Sequence, residues 1–352
     1  MAVHRARILK LAPPAACASI PRMTNPAIRT IADYLTEWLQ QQRSQLQPST
    51  WESYRGYVEN HLIPALGETP LDELSAAQLS AFYARMHQTD GRRGRPPALR
   101  TVQYCHGVIH KALNDAVRLE ILARNVAENA TLPKIDIRGD TVKEVQCWSA
   151  AELRRFLDHT RGTQHHSLWM VAAATGMRRG ELLGLRWDDV DIPGRSLTVR
   201  RALSVVKGHA QLKQPKTSRC RTLRLDAVTT AVLEERHAEQ QAHQAAAEQW
   251  HNDWNLVFTH DDGRHLDPMR ITTAFRTAVR DAPVPRRRLH DLRHVHATLL
   301  LQAGVPVKVV SERLGHAQIS LTLDIYAHVL PAMDADAADR FAAAVFGDSS
   351  PT

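Results

Sequence analysis

Apolar residues recur at helical spacing along the first third of the chain. In segment 30–43 they fall on one helical face, at Ile31, Tyr34, Leu35 and Leu39. A longer helix is predicted from about Leu99 to Leu122. Its core-facing positions are Val102, Val108, Ile109, Leu113, Ala116 and Val117. Residues 27–131 are therefore predicted to form an all-helical domain.

Three serine pairs have the spacing of a capping box, in which two side chains bond to each other's backbone N–H at a helix start. They are Ser49 with Glu52, Ser75 with Gln78, and Ser149 with Glu152. The first two predict helix starts inside the helical domain, and the third opens a second domain near residue 148.

The apolar pattern weakens over residues 132–147, where Pro133, Gly139 and charged residues predict a linker. Helical periodicity then resumes over 148–346. It is interrupted by strand-like stretches at Leu197–Val199 and Thr222–Leu225, and by an Asp262-Gly263 turn signal near Val257-Phe258. The predicted fold class is mainly α: an all-α N-terminal domain and a mostly α second domain with a small antiparallel β-sheet.

The two ends of the chain are expected to lie outside these domains. Residues 1–26 are interpreted as a flexible tail, with Met23 as an alternative start, and residues 347–352 as a short tail. Just before the second tail, an apolar helical stripe runs through Met333, Ala337, Phe341, Ala344 and Val345. This stripe packs either on its own domain or on a neighbouring subunit.

Composition restricts the class of binding partner more than it restricts the fold. Hydrophobic residues make up 43% of the 352 residues, which is enough for two cores. Lys and Arg number 45 against 37 Asp and Glu, and the net charge of +8 favours a polyanionic partner. The four cysteines form no CxxC pair, and no apolar run approaches the roughly 18 residues of a membrane span. We expect a cytoplasmic protein with reduced thiols.

Two basic segments are candidate DNA contacts. The loop Gly91–Pro97 contains Arg93-Gly94-Arg95-Pro96, which resembles the core of a minor-groove AT hook, and it offers Arg92, Arg93 and Arg95 to phosphates. Between Asp191 and Asp226 there is no acidic residue. The basic residues of that segment are Arg195, Arg200, Arg201, Lys207, Lys213, Lys216, Arg219, Arg221 and Arg224. A segment that carries only positive charge favours binding to an anion, with Arg219 and Arg221 as candidate DNA contacts. The alternative is that the loop and the hairpin are simply solvated.

Three further segments hold groups suited to phosphate chemistry. In Ala174–Leu185, Arg178 follows a glycine at a helix start, and Glu181 one turn later can orient it. In Arg286–His296, His290 and Arg293 share a helix face. His290 and His294 have zinc-ligand spacing, but the glutamate of an HExxH motif is missing.

The last of these segments places His316 after Gly315 and Tyr326 ten residues later. By itself, a tyrosine on such a helix is an ordinary core residue. The order Arg178, Lys216, His290, Arg293, His316, Tyr326 resembles the catalytic signature of the tyrosine recombinase (phage integrase) family at all six positions. The flanking letters ATGMRRGELLGL, PKT, LHDLRH, LGH and TLDIYAHV resemble the family's too.

The resemblance implies a core-type (SAM-like) DNA-binding domain at 27–131 and a tyrosine recombinase catalytic domain at 148–346. It implies that Tyr326 attacks a DNA phosphodiester and forms a 3′-phosphotyrosine. Arg178 and Arg293 then bind the phosphate, His290 acts as base, Lys216 as acid, and His316 as hydrogen-bond donor. Neither a metal nor another cofactor is implied.

The implied partners are double-stranded DNA attachment sites of a mobile element and further copies of the chain in a homotetramer on DNA. Accessory DNA-bending or directionality factors are further candidates, and no membrane is implied. Two alternatives stay open: DNA relaxation of the type IB topoisomerase kind, and a non-catalytic DNA-binding regulator.

Overall fold

The computed structural model describes residues 29–88, 96–133, 147–213 and 220–316, with the single residues 318, 319, 323 and 345. The chain divides into two compact units, Met1–Ile135 and Asp136–Thr352, and each has its own hydrophobic core. Several predictions fall outside the described residues. They concern the two tails, most of the linker and of the terminal stripe, and Arg92, Arg93, Arg95, Lys216, Arg219 and Tyr326.

Helices build the N-terminal unit. They are α1 (Ile31–Gln42), α2 (Pro48–Tyr57), α3 (Ile63–Leu66), α4 (Ala76–Gln88) and α5 (Leu99–Arg118), with a π-helical segment at Val58–Leu62 and a 3-10 turn at Val126–Asn129. Their apolar faces enclose one core, in which the Trp38 indole donates from Nε1 to Asp115 Oδ2 at 2.8 Å. A buried indole is tolerated because this N–H has a partner.

Two of the three predicted capping boxes form. Ser75 and Gln78 bond to each other's backbone N–H before α4, and Ser149 and Glu152 do so at the start of α6. The prediction of a capping box at Ser49 is wrong, because α2 already begins at Pro48. Proline suits the first helical position, where its missing N–H has no intrahelical partner to lose.

Helix α5 ends at Arg118 rather than near Leu122. Glu120 adopts a left-handed backbone conformation with φ 59°, and the N–H of Ile121 reaches back to Ala116 O at 2.9 Å. This is the hydrogen-bond pattern of a Schellman motif. The apolar spacing continued past the helix end because Leu122 still packs against the core.

In its described part, the second unit combines seven α-helices and a 3-10 turn at Trp187–Asp189 with five short strands. The helices are α6 (Ala150–His159), α7 (His166–Thr175), α8 (Arg179–Leu183), α9 (Ala227–Ala246), α10 (Pro268–Asp281), α11 (Asp291–Gln302) and α12 (Val307–Leu314). The strands are β1 (Val190–Asp191), β2 (Ser196–Val199), β3 (Ala202–Val206), β4 (His209–Lys213) and β5 (Arg221–Arg224). The predicted mainly α fold class is confirmed.

The strands form two antiparallel sheets. In the first, β2 lies between β1 and β5, with Leu197 opposite both Val190 and Leu223. In the second, β3 and β4 make a hairpin. Its two-residue turn, Lys207-Gly208, has positive φ at both positions, as the tight hairpin turns require. Near Val257-Phe258 the backbone makes only isolated bridges, although the predicted turn at Gly263 is present with φ 86°.

The core of this unit is centred on α7. Phe275 of α10 packs edge-on against Trp169 and Phe156, with ring centroids 5.1 and 5.2 Å away. Helix α11 packs against α7 and α12 packs against α11. Within the described ranges, no helix is both long enough and apolar enough to cross a membrane.

Candidate active site

The chain turns sharply between α7 and α8. Gly176 caps α7 in the left-handed region with φ 62°, and Arg178 occupies the N-cap of α8. A Cβ at Gly176 would lie 2.8 Å from His296 Cδ2 and 2.9 Å from Leu314 Cδ2. Glycine meets both demands, the backbone angle and the close approach, because it has no Cβ.

Arg178 is held by the carboxylate that the sequence predicted. Its backbone N–H donates to Glu181 Oε2 at 2.9 Å, and its Nη1 donates to Glu181 Oε1 at 2.8 Å. Its Nη2 donates to Gly315 O at 3.2 Å, which ties it to the end of α12. The Arg178 side chain remains 29% exposed, so an anion from solvent can reach it.

Arg293 points from α11 to the same place. Its Nη1 donates to Gly176 O at 2.8 Å and its Nη2 to Leu314 O at 2.6 Å. The residue is only 4% exposed. The two arginines are therefore anchored on the adjacent carbonyls of Leu314 and Gly315. Two positive charges this close, one of them buried, make a site for an anion.

His316 follows these carbonyls directly. Gly315 adopts a left-handed conformation with φ 69°, and the N–H of His316 donates to Ser311 O at 3.1 Å. Burial, followed by the positive charges of Arg293 and Arg178, lowers the pKa of His316 to about 4. The imidazole is neutral at pH 7 and can donate one hydrogen bond from its single N–H.

His290 lies at the N-cap of α11, one turn before Arg293, and part of its side chain reaches solvent. Desolvation, then the neighbouring His294 and Arg293, lower the pKa of His290 below its usual range. A histidine that is neutral at pH 7 can accept a proton. The His290 and His294 rings stand edge to face with centroids 5.4 Å apart. In the described part of the chain, no three His, Cys, Asp or Glu side chains are grouped to hold a metal ion.

Four of the six signature residues can thus be located: Arg178, His290, Arg293 and His316. Arg178 and Arg293 bind the carbonyls of Gly315 and Leu314, the two residues that directly precede His316, and His290 lies one turn before Arg293 at the start of α11. Lys216 and Tyr326 lie outside the described residues, so their place in the cluster stays a prediction.

In the folded structure, acidic residues from outside the segment neutralise part of the positive charge between Asp191 and Asp226. Arg200 and Arg201 both pair with Asp189, at 3.0 and 2.8 Å. Arg221 is only slightly exposed, with 9% of its side chain accessible, and its Nη2 lies 2.6 Å from Glu181 Oε2. This placement gives no support to the predicted DNA contact by Arg221. The acidic partners were missed because they precede the segment in the sequence.

Sequence reasoning also missed the residues behind the cluster. Arg179, next to Arg178, turns the other way and donates to Pro268 O and Thr272 Oγ1, which ties α8 to α10. Arg313 donates to His296 Nε2 at 3.2 Å and to the Ala174 carbonyl at 3.2 Å. The HDLRHVH run contains His296, but nothing in its spacing shows which of its histidines faces the interior.

Comparison with known proteins shows the family to which the chain belongs. The model of the phage integrase family matches residues 148–333, and that of the phage integrase N-terminal SAM-like domain matches residues 30–87. A tyrosine recombinase XerC-like protein of Caldanaerobacter subterraneus subsp. tengcongensis is 30% identical over 329 residues, covering 88% of this chain and 82% of the relative. An integrase of Streptomyces ambofaciens is 29% identical over 319 residues, covering 86% and 76%.

Solved structures share the fold. The Tn1549 transposon integrase in complex with transposon right end DNA has a TM-score of 0.73 at 20% identity, covering 88% of this chain and 99% of that one. A lambda integrase tetramer bound to a Holliday junction has a TM-score of 0.60 at 15% identity, covering 82% and 78%. The chain belongs to the phage integrase family and is a tyrosine-type site-specific recombinase. The family resemblance drawn from the six signature residues is confirmed.

Proposed function

We propose that this recombinase cuts and rejoins DNA with Tyr326 as its nucleophile. The Tyr326 oxygen attacks the phosphorus of a DNA phosphodiester, and the bond from phosphorus to the 5′ oxygen breaks. A 3′-phosphotyrosyl link and a 5′-hydroxyl result. Strand exchange follows when the 5′-hydroxyl of a second DNA attacks this link and displaces the tyrosine.

The observation that carries the proposal is the convergence of Arg178 and Arg293 beside His316. A phosphodiester is already anionic and repels a nucleophile, so its transfer depends on positioning and on stabilising charge. Guanidinium groups match the nonbridging oxygens of a phosphate in geometry as well as charge. Because Arg293 is buried, its charge acts on a bound phosphate with little screening by water.

The histidines fit the proton transfers of this reaction. A phenol has a pKa near 10, so Tyr326 needs a base, and His290 is held neutral for that role. The departing 5′ oxygen needs a proton, and we assign the role of proton donor to Lys216. Neutral His316 donates a hydrogen bond to a nonbridging oxygen as charge builds on it.

The reaction needs no energy source, since the phosphotyrosyl link preserves the ester that rejoining uses. The arginines supply the positive charge at phosphorus. The DNA partner and the multimer are carried over from the relatives: the lambda integrase neighbour is a tetramer on a Holliday junction. We propose that this chain likewise assembles as a homotetramer on two attachment sites and integrates or excises a mobile element.

Covalent capture tests the proposal and selects the cleaved sequence in the same experiment. The probe is a library of nicked duplexes with randomised sequence around the nick, in which cleavage releases a short fragment and traps the enzyme. We expect wild type to form a detergent-resistant adduct and Tyr326→Phe to form none, because only the phenolic oxygen is removed. An equal yield of adduct from Tyr326→Phe would contradict the proposal.

Neighbouring arginines provide a matched comparison. Arg178→Lys keeps the charge but loses the guanidinium fork, and its adduct rate should fall about 10²-fold. Arg179→Lys changes a side chain bonded to α10 and should leave the rate near that of wild type. Relaxation of a supercoiled plasmid that lacks the captured sequence would favour the topoisomerase alternative instead.

A further inference from the structure

Three arginines cap the C-terminal end of α12. Arg221 Nε donates to Arg313 O at 2.9 Å, Arg293 Nη2 to Leu314 O at 2.6 Å, and Arg178 Nη2 to Gly315 O at 3.2 Å. The last carbonyls of a helix lack intrahelical partners and carry the negative end of its dipole, so cations suit them. Two members of this three-arginine cap are the proposed phosphate ligands, and Arg221 is the third.

Arg221 also shares a carboxylate with Arg178. Its Nη1 and Nη2 donate to the two oxygens of Glu181 at 3.2 and 2.6 Å, while Arg178 Nη1 binds Oε1 at 2.8 Å. Glu181 is 2% exposed. Burial alone would raise the pKa of Glu181, but the bonds and charge of Arg221 and then Arg178 outweigh it and lower that pKa. The carboxylate is thus ionised and divided between two arginines.

The turn that carries His316 rests on Arg221 as well. A Cβ at Gly315 would lie 2.9 Å from Arg221 Nη1, so the turn is in direct contact with the guanidinium. The Arg221 side chain therefore touches both the partner of Arg178 and the backbone that leads into His316.

We propose that Arg221 is a positioning residue for strand cleavage that does not itself contact DNA. It holds Arg178 in position through Glu181. It holds the turn before His316 in position through the Arg313 carbonyl. The proposal rests on the function proposed above for Arg178. Without Arg221, Arg178 would be the only guanidinium partner left to Glu181 among the described residues, and Glu181 would draw it away from the phosphate. A misplacement of about 1 Å can reduce a rate roughly 10²-fold.

Two variants and a control separate positioning from simple stabilisation. Arg221→Met removes the guanidinium with little change in length. Arg221→Lys keeps a charge beside Glu181 but cannot serve Glu181 and the Arg313 carbonyl in the same fork geometry. The control is Arg236→Met, because Arg236 is another arginine with little exposure (6%), and it donates to the carbonyls of Val257 and Thr259 at 3.2 Å.

The first measurement is DNA affinity in the Tyr326→Phe background, where no covalent step occurs. The probes are the captured duplex and the same duplex with a neutral methylphosphonate at the cleaved linkage. With Arg221 present, we expect the charged linkage to bind about tenfold more tightly, the size of a charge-assisted hydrogen bond. Arg221→Met should reduce this ratio to within about twofold, Arg221→Lys should give an intermediate ratio, and Arg236→Met should keep it.

The second measurement is the single-turnover rate of adduct formation with Tyr326 restored. We expect Arg221→Met to slow it about 10²-fold and Arg236→Met to leave it unchanged in the folded fraction. A wild-type affinity ratio in Arg221→Met overturns the inference even if the rate falls, because the defect would not act through Arg178. If Arg221→Met does not fold, a wild-type ratio in Arg221→Lys overturns it. Failure of the proposed function is distinct, since wild type itself would then form no adduct.

Discussion

The buried His296 is bonded to the partly buried Arg313 on the neighbouring helix α12. His296 is 8% exposed, and its Nδ1 lies 2.9 Å from Ala173 O while its Nε2 accepts from Arg313 Nε at 3.2 Å. Both ring nitrogens are satisfied only when Nδ1 carries the hydrogen and Nε2 does not, so the ring is neutral. Burial, then the charge of Arg313, lowers the pKa of His296 to about 4.

This histidine should make the stability of the second unit depend on pH. In the unfolded chain its pKa is near 6.5, so below that value the unfolded state binds a proton that the folded state does not. The contribution of neutral His296 is therefore present above pH 6.5 and is lost as pH falls toward 4. Between pH 7 and pH 4 it amounts to about 3 kcal/mol.

Urea unfolding at pH 7 and pH 4 measures this effect against His296→Gln. Glutamine can donate to Ala173 O and accept from Arg313 but does not titrate in this range. Wild type should lose about 3 kcal/mol more than the variant between the two pH values. Equal losses would show that His296 is already protonated in the folded protein, or that its ring is solvated.

At the scale of elements, the site depends on where helices stop. Helices α7 and α12 each end on a glycine in the left-handed region, Gly176 and Gly315, and the arginines bind the carbonyls at these two ends. A helix end offers unpaired carbonyls that a helix interior does not. The two caps thus place acceptors for Arg178 and Arg293 within one small region.

Replacing Gly176 by alanine should therefore be costly. Alanine would be strained at this positive φ, and its Cβ would lie 2.8 Å from His296 Cδ2. Gly162 provides the matched control, because it has a similar φ of 72° with no atom within 4 Å of the added Cβ. We expect a loss of about 1 kcal/mol for Gly162→Ala and about 3 kcal/mol for Gly176→Ala in urea unfolding. Equal losses would mean that the neighbours of Gly176 move aside freely.

At the scale of the whole molecule, each unit encloses its own core. The core of the second unit draws on residues from Trp148 to Val295, so its first helices and its later ones depend on each other. The core of the first unit lies between Ile31 and Ala127. A chain cut between the two cores should leave both intact, whereas a cut within either should not.

Fragment expression tests this division. Fragments 29–133 and 147–352 should each unfold cooperatively with temperature, as domains with separate cores do. Fragment 190–352 is the control, since it lacks α6 to α8 and with them Phe156 and Trp169 of the core. Failure of either of the first two fragments to unfold cooperatively would show that its stability depends on the other unit.

The sequence by itself determined the helical class, because apolar periodicity and the capping boxes at Ser75 and Ser149 are local signals. It also determined the family, because the six signature residues keep their order along the chain. It found the hydrogen bond that Arg178 donates to Glu181, since three residues span one helical turn. It did not determine the end of α5. The apolar spacing runs past that end, and the helix stops because Glu120 is left-handed, which no sequence pattern marked.

Only the tertiary structure decided how the arginines divide their work. Arg178 and Arg179 are neighbours in the sequence, yet one faces the site and the other ties α8 to α10. Arg221 looked like one more member of a basic segment, but its carboxylate partner lies 40 residues away. The physical reason is that the role of a charge depends on its burial and on the groups packed around it, and folding sets both.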